Sequence, residues 1–137
     1  MSIPGLNKIY QTDFTNVSGN CLQACVASIL NCDLYHVPNF VTYKNWKEEY
    51  VRFWESKNKI VMFIYTLSDF GLGRFIERVP YSGHCILAVD SFLHPGKLHA
   101  VVGLLADQRL SIVHDPNPQN YGRTSDEYVC GEIDLFF

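Results

Sequence analysis

Three short apolar segments separated by tight turns constrain the fold of this chain more than any other feature. They are HCILAVDSF, LHAVVGLL and RLSIVHDP, which follow one another between residues 84 and 116 and are joined by HPGK and ADQ. Apolar runs between turn signals are typical of strands, and connections this short join antiparallel neighbours. We therefore predict an antiparallel sheet, with an earlier buried strand at KIVMFIYTL and with GEIDLFF as a final strand or a partner-facing edge.

Two stretches with helical periodicity precede most of these strands. From Cys21 onward, apolar residues recur at the spacing of one helix face, and Ser18 and Asn20 are favourable N-caps for that helix. The helix should end near Asn31, before VPNF forces an extended path. Residues 43–57 form a second helical pattern whose aromatic side chains share one side. Helices followed by strands predict an α+β fold in which the N-terminal helix carrying Cys21 packs on the antiparallel sheet.

Composition narrows the class of protein. The chain has 137 residues, of which 47% are hydrophobic and 18% are charged, which suits one globular domain over residues 1–137. A net charge of −3 without a basic cluster argues against nucleic acid as a partner. No run approaches the ~18 apolar residues of a membrane span and the start lacks the apolar core of a signal peptide, so we expect a cytoplasmic protein. Five cysteines without an extracellular framework predict reduced thiols.

Cys21 and Cys25 should occupy different environments although they are only one helical turn apart. Cys21 stands in the first turn, where unpaired N–H groups and the positive end of the helix dipole stabilise a thiolate. Cys25 shares the apolar stripe, where cysteine behaves as a small buried hydrophobe. We therefore interpret Cys21 as a candidate nucleophile and Cys25 as a core residue.

A nucleophilic cysteine requires a base, and usually a third group that orients the base. Of the five histidines, His84 and His99 head apolar strands, and His114 adjoins Asp115. If the last two β segments pair around residues 106–108, His99 lies directly opposite Asp115, within reach of an imidazole–carboxylate hydrogen bond. A slip of one residue would break that pairing. His99 is the first candidate base and His84 the alternative, whereas His114 should be structural or line the substrate.

Three blocks of the sequence resemble a known group of proteins. QTDFTNVSGNCLQACVASILNCDLYHVPNF, then HAVVG, then IVHDPNP are similar to small bacterial and phage-type domains related to bacteriocin-processing transporter peptidases. More broadly, a cysteine that opens the first helix, followed by a histidine and an acidic residue from a later sheet, resembles the papain-like cysteine peptidase superfamily. The likeness covers residues 10–40 and 99–118.

This resemblance implies a papain-like fold and acyl-transfer chemistry. Cys21 would be the nucleophile, His99 the general base and later the acid, and Asp115 the residue that orients the imidazole. The expected reaction is hydrolysis of a peptide or isopeptide bond, although the same triad also serves amidases, deamidases and transpeptidases. The implied partner is a peptide or amide-containing substrate, and no cofactor is implied.

The resemblance is incomplete at the residue that stabilises the oxyanion. Papain-like enzymes combine the backbone N–H of the cysteine with the amide of a glutamine six residues before it, where this chain has Thr15. Gln11 matches a glutamine of the more similar small domains, and a longer loop would bring its amide to the site. Gln11 is therefore the candidate donor, with Asn16 and Asn20 as the alternatives.

Three other functions remain open from the sequence. The first is a zinc site, since four residues have C-x3-C-x6-C-x3-H spacing, although the first pair lies in a helix and structural zinc sites more often use loops: Cys21, Cys25, Cys32 and His36. The second is a binding module, for example a phage or bacterial host-interaction protein, that keeps the triad without using it. The third is a redox thiol pair formed by Cys21 and Cys25.

Overall fold

Two α-helices and one five-stranded antiparallel sheet make up the described part of the chain, so the predicted α+β class is confirmed. The computed structural model describes residues 5–16, 19–65 and 80–137. The elements are α1 (Cys21–Leu30), α2 (Trp46–Ser56), β1 (Val61–Tyr65), β2 (Gly83–Asp90), β3 (Leu98–Ala106), β4 (Arg109–His114) and β5 (Cys130–Phe136). Within these ranges, none of the helices is both long and apolar enough to cross a membrane.

The strand order is β1-β5-β2-β3-β4, which decides between the two alternatives for the last segment in favour of a final strand and corrects one prediction. The meander from β2 to β4 is as expected, but β5 returns to lie between β1 and β2. The GEIDLFF segment is therefore an interior strand and not an exposed edge. In contrast, β1 pairs with no described strand other than β5, and none of its residues is fully buried. Within the described residues, Val61–Tyr65 are therefore an edge strand and not the buried strand we predicted for KIVMFIYTL.

Alternate strand residues form apolar clusters on the two faces of the sheet. On one face, α1 packs over β2 and β3 with Cys25 and Val26 completely buried. The α2 helix is shorter than the predicted 43–57, but its aromatic stripe is buried as expected, with Tyr50 and Trp54 in the core. The segment SDFGLGRFIERV, for which we expected a loop or short helix, lies outside the described residues.

A carboxyl group is buried beside this aromatic cluster. Tyr50 donates its O–H to Asp134 Oδ2 at 2.8 Å, and the exposed fractions of the two residues are 0% and 9%. Burial raises the pKa of Asp134 to about 7, against the opposing effect of the Tyr50 hydrogen bond. The sequence did not predict this pair because nothing in it placed β5 in the interior of the sheet.

This raised pKa makes protein stability depend on pH. A carboxyl group that holds its proton more tightly when folded contributes stability that is complete below pH 3.8 and is lost as pH rises through about 7. The side chain introduced by Asp134→Asn cannot ionise. Between pH 5 and pH 9, the free energy of unfolding of the wild type should therefore fall by at most about 3 kcal/mol relative to that of the variant.

Urea unfolding of both proteins at pH 5, 7 and 9 measures this difference. Asp90→Asn is the control, because Asp90 is an exposed carboxyl group at the end of β2. If the free energies of unfolding of wild type and Asp134→Asn instead change with pH in parallel, Asp134 is already ionised in the folded protein at pH 5.

Candidate active site

The backbone before Cys21 is tightly folded against the start of α1. The first helical hydrogen bond runs from Ala24 N–H to Asn20 C=O at 3.0 Å, so the Cys21 N–H precedes the hydrogen-bonded helix. A Cβ at position 19 would lie only 2.6 Å from the backbone oxygen of Thr15, which explains why this position is a glycine. The Gly-Asn pair therefore allows the chain to enter the helix with Cys21 in its first turn, as predicted.

The side chain of Asn20 does not cap α1, contrary to our prediction. Its Oδ1 instead accepts hydrogen bonds from the N–H groups of Thr12 and Asp13 at 2.9 and 2.8 Å, and its Nδ2 donates to Thr12 Oγ1 at 3.0 Å. Asn20 therefore ties the preceding segment to the helix start. Ser18, the other predicted cap, lies outside the described residues.

The thiol of Cys21 lies in an environment that favours the thiolate. The backbone N–H of Ala100 donates to Sγ, with 3.4 Å between nitrogen and sulfur. Burial alone would raise the pKa of Cys21, but the hydrogen bond and charge of His99, with two backbone N–H groups, lower it from its ordinary 9.0. The ladder between β3 and β4 ends at Val102, which leaves Ala100 N–H without a partner from β4.

His99 connects the thiol to a carboxylate. Its Nε2 lies 2.7 Å from Asp115 Oδ1, which leaves Nδ1 as the ring nitrogen for Cys21. Burial lowers the pKa of His99, but hydrogen bonds and charge from Asp115 and Cys21 outweigh it and raise that pKa to about 9. The hydrogen bonds and the charge of His99 likewise hold the pKa of Asp115 below 3.8 against the effect of burial. The three groups therefore favour a thiolate–imidazolium pair beside an ionised carboxylate.

The structure brings His99 and Asp115 together, but not through the register we predicted. The β3–β4 turn has two residues, Asp107 and Gln108, both with positive φ, so that Ala106 pairs with Arg109. A bulge after Gly103 shifts the register again, and the ladder ends before Asp115. The carboxylate reaches the imidazole from beyond the end of β4 and is not its directly opposed neighbour.

Asp115 accepts hydrogen bonds from three groups besides His99. Asn117 N–H donates to Oδ1 at 2.8 Å, and Asn120 Nδ2 and Tyr128 O–H donate to Oδ2 at 2.9 and 2.8 Å. The sequence analysis missed Asn120 and Tyr128. Asn120 lies five residues from Asp115 in the DPNPQN turn, where local side-chain bonds are common, but no spacing rule connects Asp115 with Tyr128.

Gln11 lies at the mouth of the site on a tethered segment. Its backbone N–H donates to Pro116 C=O at 3.0 Å, next to the orienting carboxylate. Its Nε2 donates to Asp13 C=O at 3.0 Å, and because an amide nitrogen carries two hydrogens, a second donor remains. The Gln11 side chain is 8% exposed and lines the cavity beside Cys21, whereas Asn16 lies on its exposed rim.

A cavity of about 130 Å³ opens beside Cys21 and His99. Its walls come from residues 11–16 and Gly19 and from the loop 91–97 between β2 and β3. Leu93 in that loop and Leu98 at the start of β3 are exposed. From the sequence, the helical pattern over residues 43–57 and the segment 70–78 are candidates for the walls of a cleft. None of the described lining residues belongs to α2, because α2 packs on β1 and on the turn Phe40–Thr42, and residues 70–78 lie outside the described ranges.

The other candidate histidines have different surroundings. His84 pairs with Leu104 at the far end of the β2–β3 hairpin, as the sequence predicted, and it is therefore remote from Cys21. His114 is buried, and its Nε2–H donates to Ile9 C=O at 2.6 Å. That bond ties the N-terminal segment to β4, which is the structural role we considered.

The cysteines other than Cys21 offer no metal or redox centre in the described ranges. All five are free thiols, in agreement with the expected reduced state. Burial raises the pKa of Cys25 well above its ordinary value, which disfavours a resolving thiolate. Among residues 5–16, 19–65 and 80–137, no group of three or more His, Cys, Asp or Glu side chains is placed to hold a metal ion, so the zinc spacing does not produce a site there.

Comparison of the chain with protein-family models, with curated proteins and with solved structures finds no match.

Proposed function

We propose that this protein is a papain-like cysteine hydrolase, an acyl-transfer enzyme that cleaves peptide, isopeptide or other amide bonds. The observation that supports this most strongly is the hydrogen bond of 2.7 Å between His99 Nε2 and Asp115 Oδ1, in a site where His99 and Cys21 line the same cavity and His99 lowers the pKa of Cys21. A half-buried nucleophile with a lowered pKa, a base and an orienting group is the constellation that covalent acyl transfer requires.

The chemistry proceeds in two halves. The Cys21 thiolate attacks the acyl carbon, an S–C bond forms, and the electron pair of the C=O moves onto oxygen. When this intermediate collapses, the C–N bond breaks and the leaving amine takes the proton from His99. Water then attacks the thioester while His99 accepts its proton, and the S–C bond breaks to release a carboxylic acid and to regenerate the thiol.

The oxyanion requires donors near the carbonyl oxygen. Cys21 N–H is one, since it lies before the hydrogen-bonded part of α1. The free hydrogen of Gln11 Nε2 is the second, since that side chain lines the same cavity. Two such donors stabilise the charge that develops only in the transition state.

Acylation by an activated ester tests the proposal. Incubation with p-nitrophenyl acetate at pH 7 should release p-nitrophenolate in a burst, and mass spectrometry of the quenched protein should locate the acetyl group on Cys21. Cys25→Ala is the matched control, and it should keep both the burst and the acetylated site because Cys25 is buried in the core. A native protein whose Cys21 stays unacetylated would favour the alternative function, a binding module that does no chemistry.

A further inference from the structure

The Asp115 carboxylate is held by more donors than a histidine partner needs. We propose that Tyr128 and Asn120 are positioning residues of the site, which fix Asp115 in the one orientation that serves His99. This inference rests on the proposed function, because positioning matters only if His99 acts on Cys21.

The backbone alone does not orient Asp115. It follows the last residue of β4 and lies beyond the last ladder pair, Val102 with His114. A side chain just past a strand end would rotate unless other groups fixed it. The network of side-chain donors therefore replaces the constraint that the sheet supplies to residues within its strands.

The donors are divided evenly between the two carboxylate oxygens. His99 and the Asn117 N–H bind Oδ1, whereas Asn120 Nδ2 and the Tyr128 hydroxyl bind Oδ2. Two donors on each oxygen fix the plane of the carboxylate, so Oδ1 cannot turn away from the imidazole without breaking a bond on the other side. Hydrogen bonds to an ionised group are also stronger than neutral ones.

Tyr128 is held in place as a donor. Its ring packs edge-on against Phe92 in the β2–β3 loop, with 5.2 Å between ring centroids. The guanidinium of Arg123 in turn lies over the Phe92 ring, 3.7 Å from its centroid. Burial and the hydrogen bond to Asp115 raise the pKa of Tyr128. The phenol therefore keeps its proton and remains a donor through the neutral range.

Tyr128→Phe removes one donor and leaves the ring. The expected result is an acidic limb in the pH profile of Cys21 alkylation by iodoacetamide that moves up by about one pH unit, which lowers the rate about tenfold at pH values on that limb. Hydrolysis should lose a similar factor in kcat with KM unchanged, because Tyr128 is not among the residues that line the cavity beside Cys21. Tyr121→Phe is the control, since Tyr121 is 94% exposed on the adjacent turn, and it should change neither quantity.

Asn120→Ala provides a second, independent variant, with the same expected shift of the acidic limb. Variants that lower the melting temperature but keep the wild-type limb would assign these residues to stability alone and overturn the inference. The two proposals fail differently. A wild-type Cys21 with no reactive limb below pH 8 refutes the proposed function and this inference with it, whereas a wild-type limb that both variants preserve refutes only the positioning role.

Discussion

Replacing His99 with alanine is expected to lower the rate of Cys21 alkylation at pH 6.5 by about 100-fold. The reason is the direction of the pKa shifts of Cys21 and His99. His99 lowers the pKa of Cys21 through a hydrogen bond and its charge, and without it only two backbone N–H groups oppose the effect of burial on that thiol. Hydrolytic turnover should fall further, by about 10²–10⁴-fold, because the base and acid are both lost.

The pH dependence distinguishes an ion pair from an ordinary thiol. The wild-type pair exists from the lowered pKa of Cys21 up to pH about 9, where His99 loses its proton. The contribution of His99 to folding stability has the sign of a raised histidine pKa, so it is complete below pH 6.5 and lost as pH rises through about 9. Site-resolved mass spectrometry after iodoacetamide treatment between pH 5 and pH 10 measures the reactive window directly.

His84→Ala is the matched control for this experiment, because His84 lies at the far end of the β2–β3 hairpin and was the alternative base in the sequence. It should leave the reactivity of Cys21 unchanged. If His99→Ala also leaves the wild-type profile intact, the thiolate is stabilised by the helix start and the Ala100 N–H alone, and the catalytic proposal loses its base.

Replacing Gln11 with alanine is expected to lower kcat by about 10²–10³-fold, the effect of removing one oxyanion donor. The pH profile of Cys21 alkylation should stay as in the wild type, because attack on iodoacetamide creates no oxyanion. This separation of the two assays is the physical signature of a donor that acts only in the transition state.

The matched control is Asn16→Ala, which removes the competing amide on the exposed rim of the same cavity. A large loss of kcat in this variant together with normal kcat in Gln11→Ala would move the donor role to Asn16. Gln11→Ala could also disturb the segment that ends at Asn20, so its melting temperature is measured beside its kinetics. A loss of alkylation in parallel with kcat would indicate such a disturbance and contradict the oxyanion role.

Local patterns predicted the elements of this protein better than their arrangement. The helix that begins at Cys21 and ends at Leu30 follows from its apolar period and the polar residues at its ends. The strands of the β2–β4 meander follow from apolar runs and short turns. The position of β5 did not follow, because an apolar run of seven residues fits an edge or a central strand equally well.

The candidate triad shows how a correct pair can come from an incorrect register. His99 and Asp115 were paired through a three-residue turn, yet the turn has two residues and a bulge shifts the ladder. The residues still meet because Asp115 has left the ladder and is drawn to His99 by its own hydrogen bonds. A shift of one residue changes every pair within a ladder. Asp115 lies beyond the ladder, so its side chain turns toward His99 whichever register the strands adopt.

The sequence by itself determined the parts of this protein that depend on neighbours along the chain: the α1 start that exposes Cys21, the buried turn that makes Cys25 inert, and the strands that carry His99. The tertiary structure alone decided the interior place of β5, the burial of Asp134 against Tyr50, and the convergence of Tyr128 and Asn120 on Asp115. The physical reason is the range of the interactions. Periodicity and turn chemistry act over a few residues, but hydrogen bonds between buried groups depend on which distant segments the packing of the core brings together.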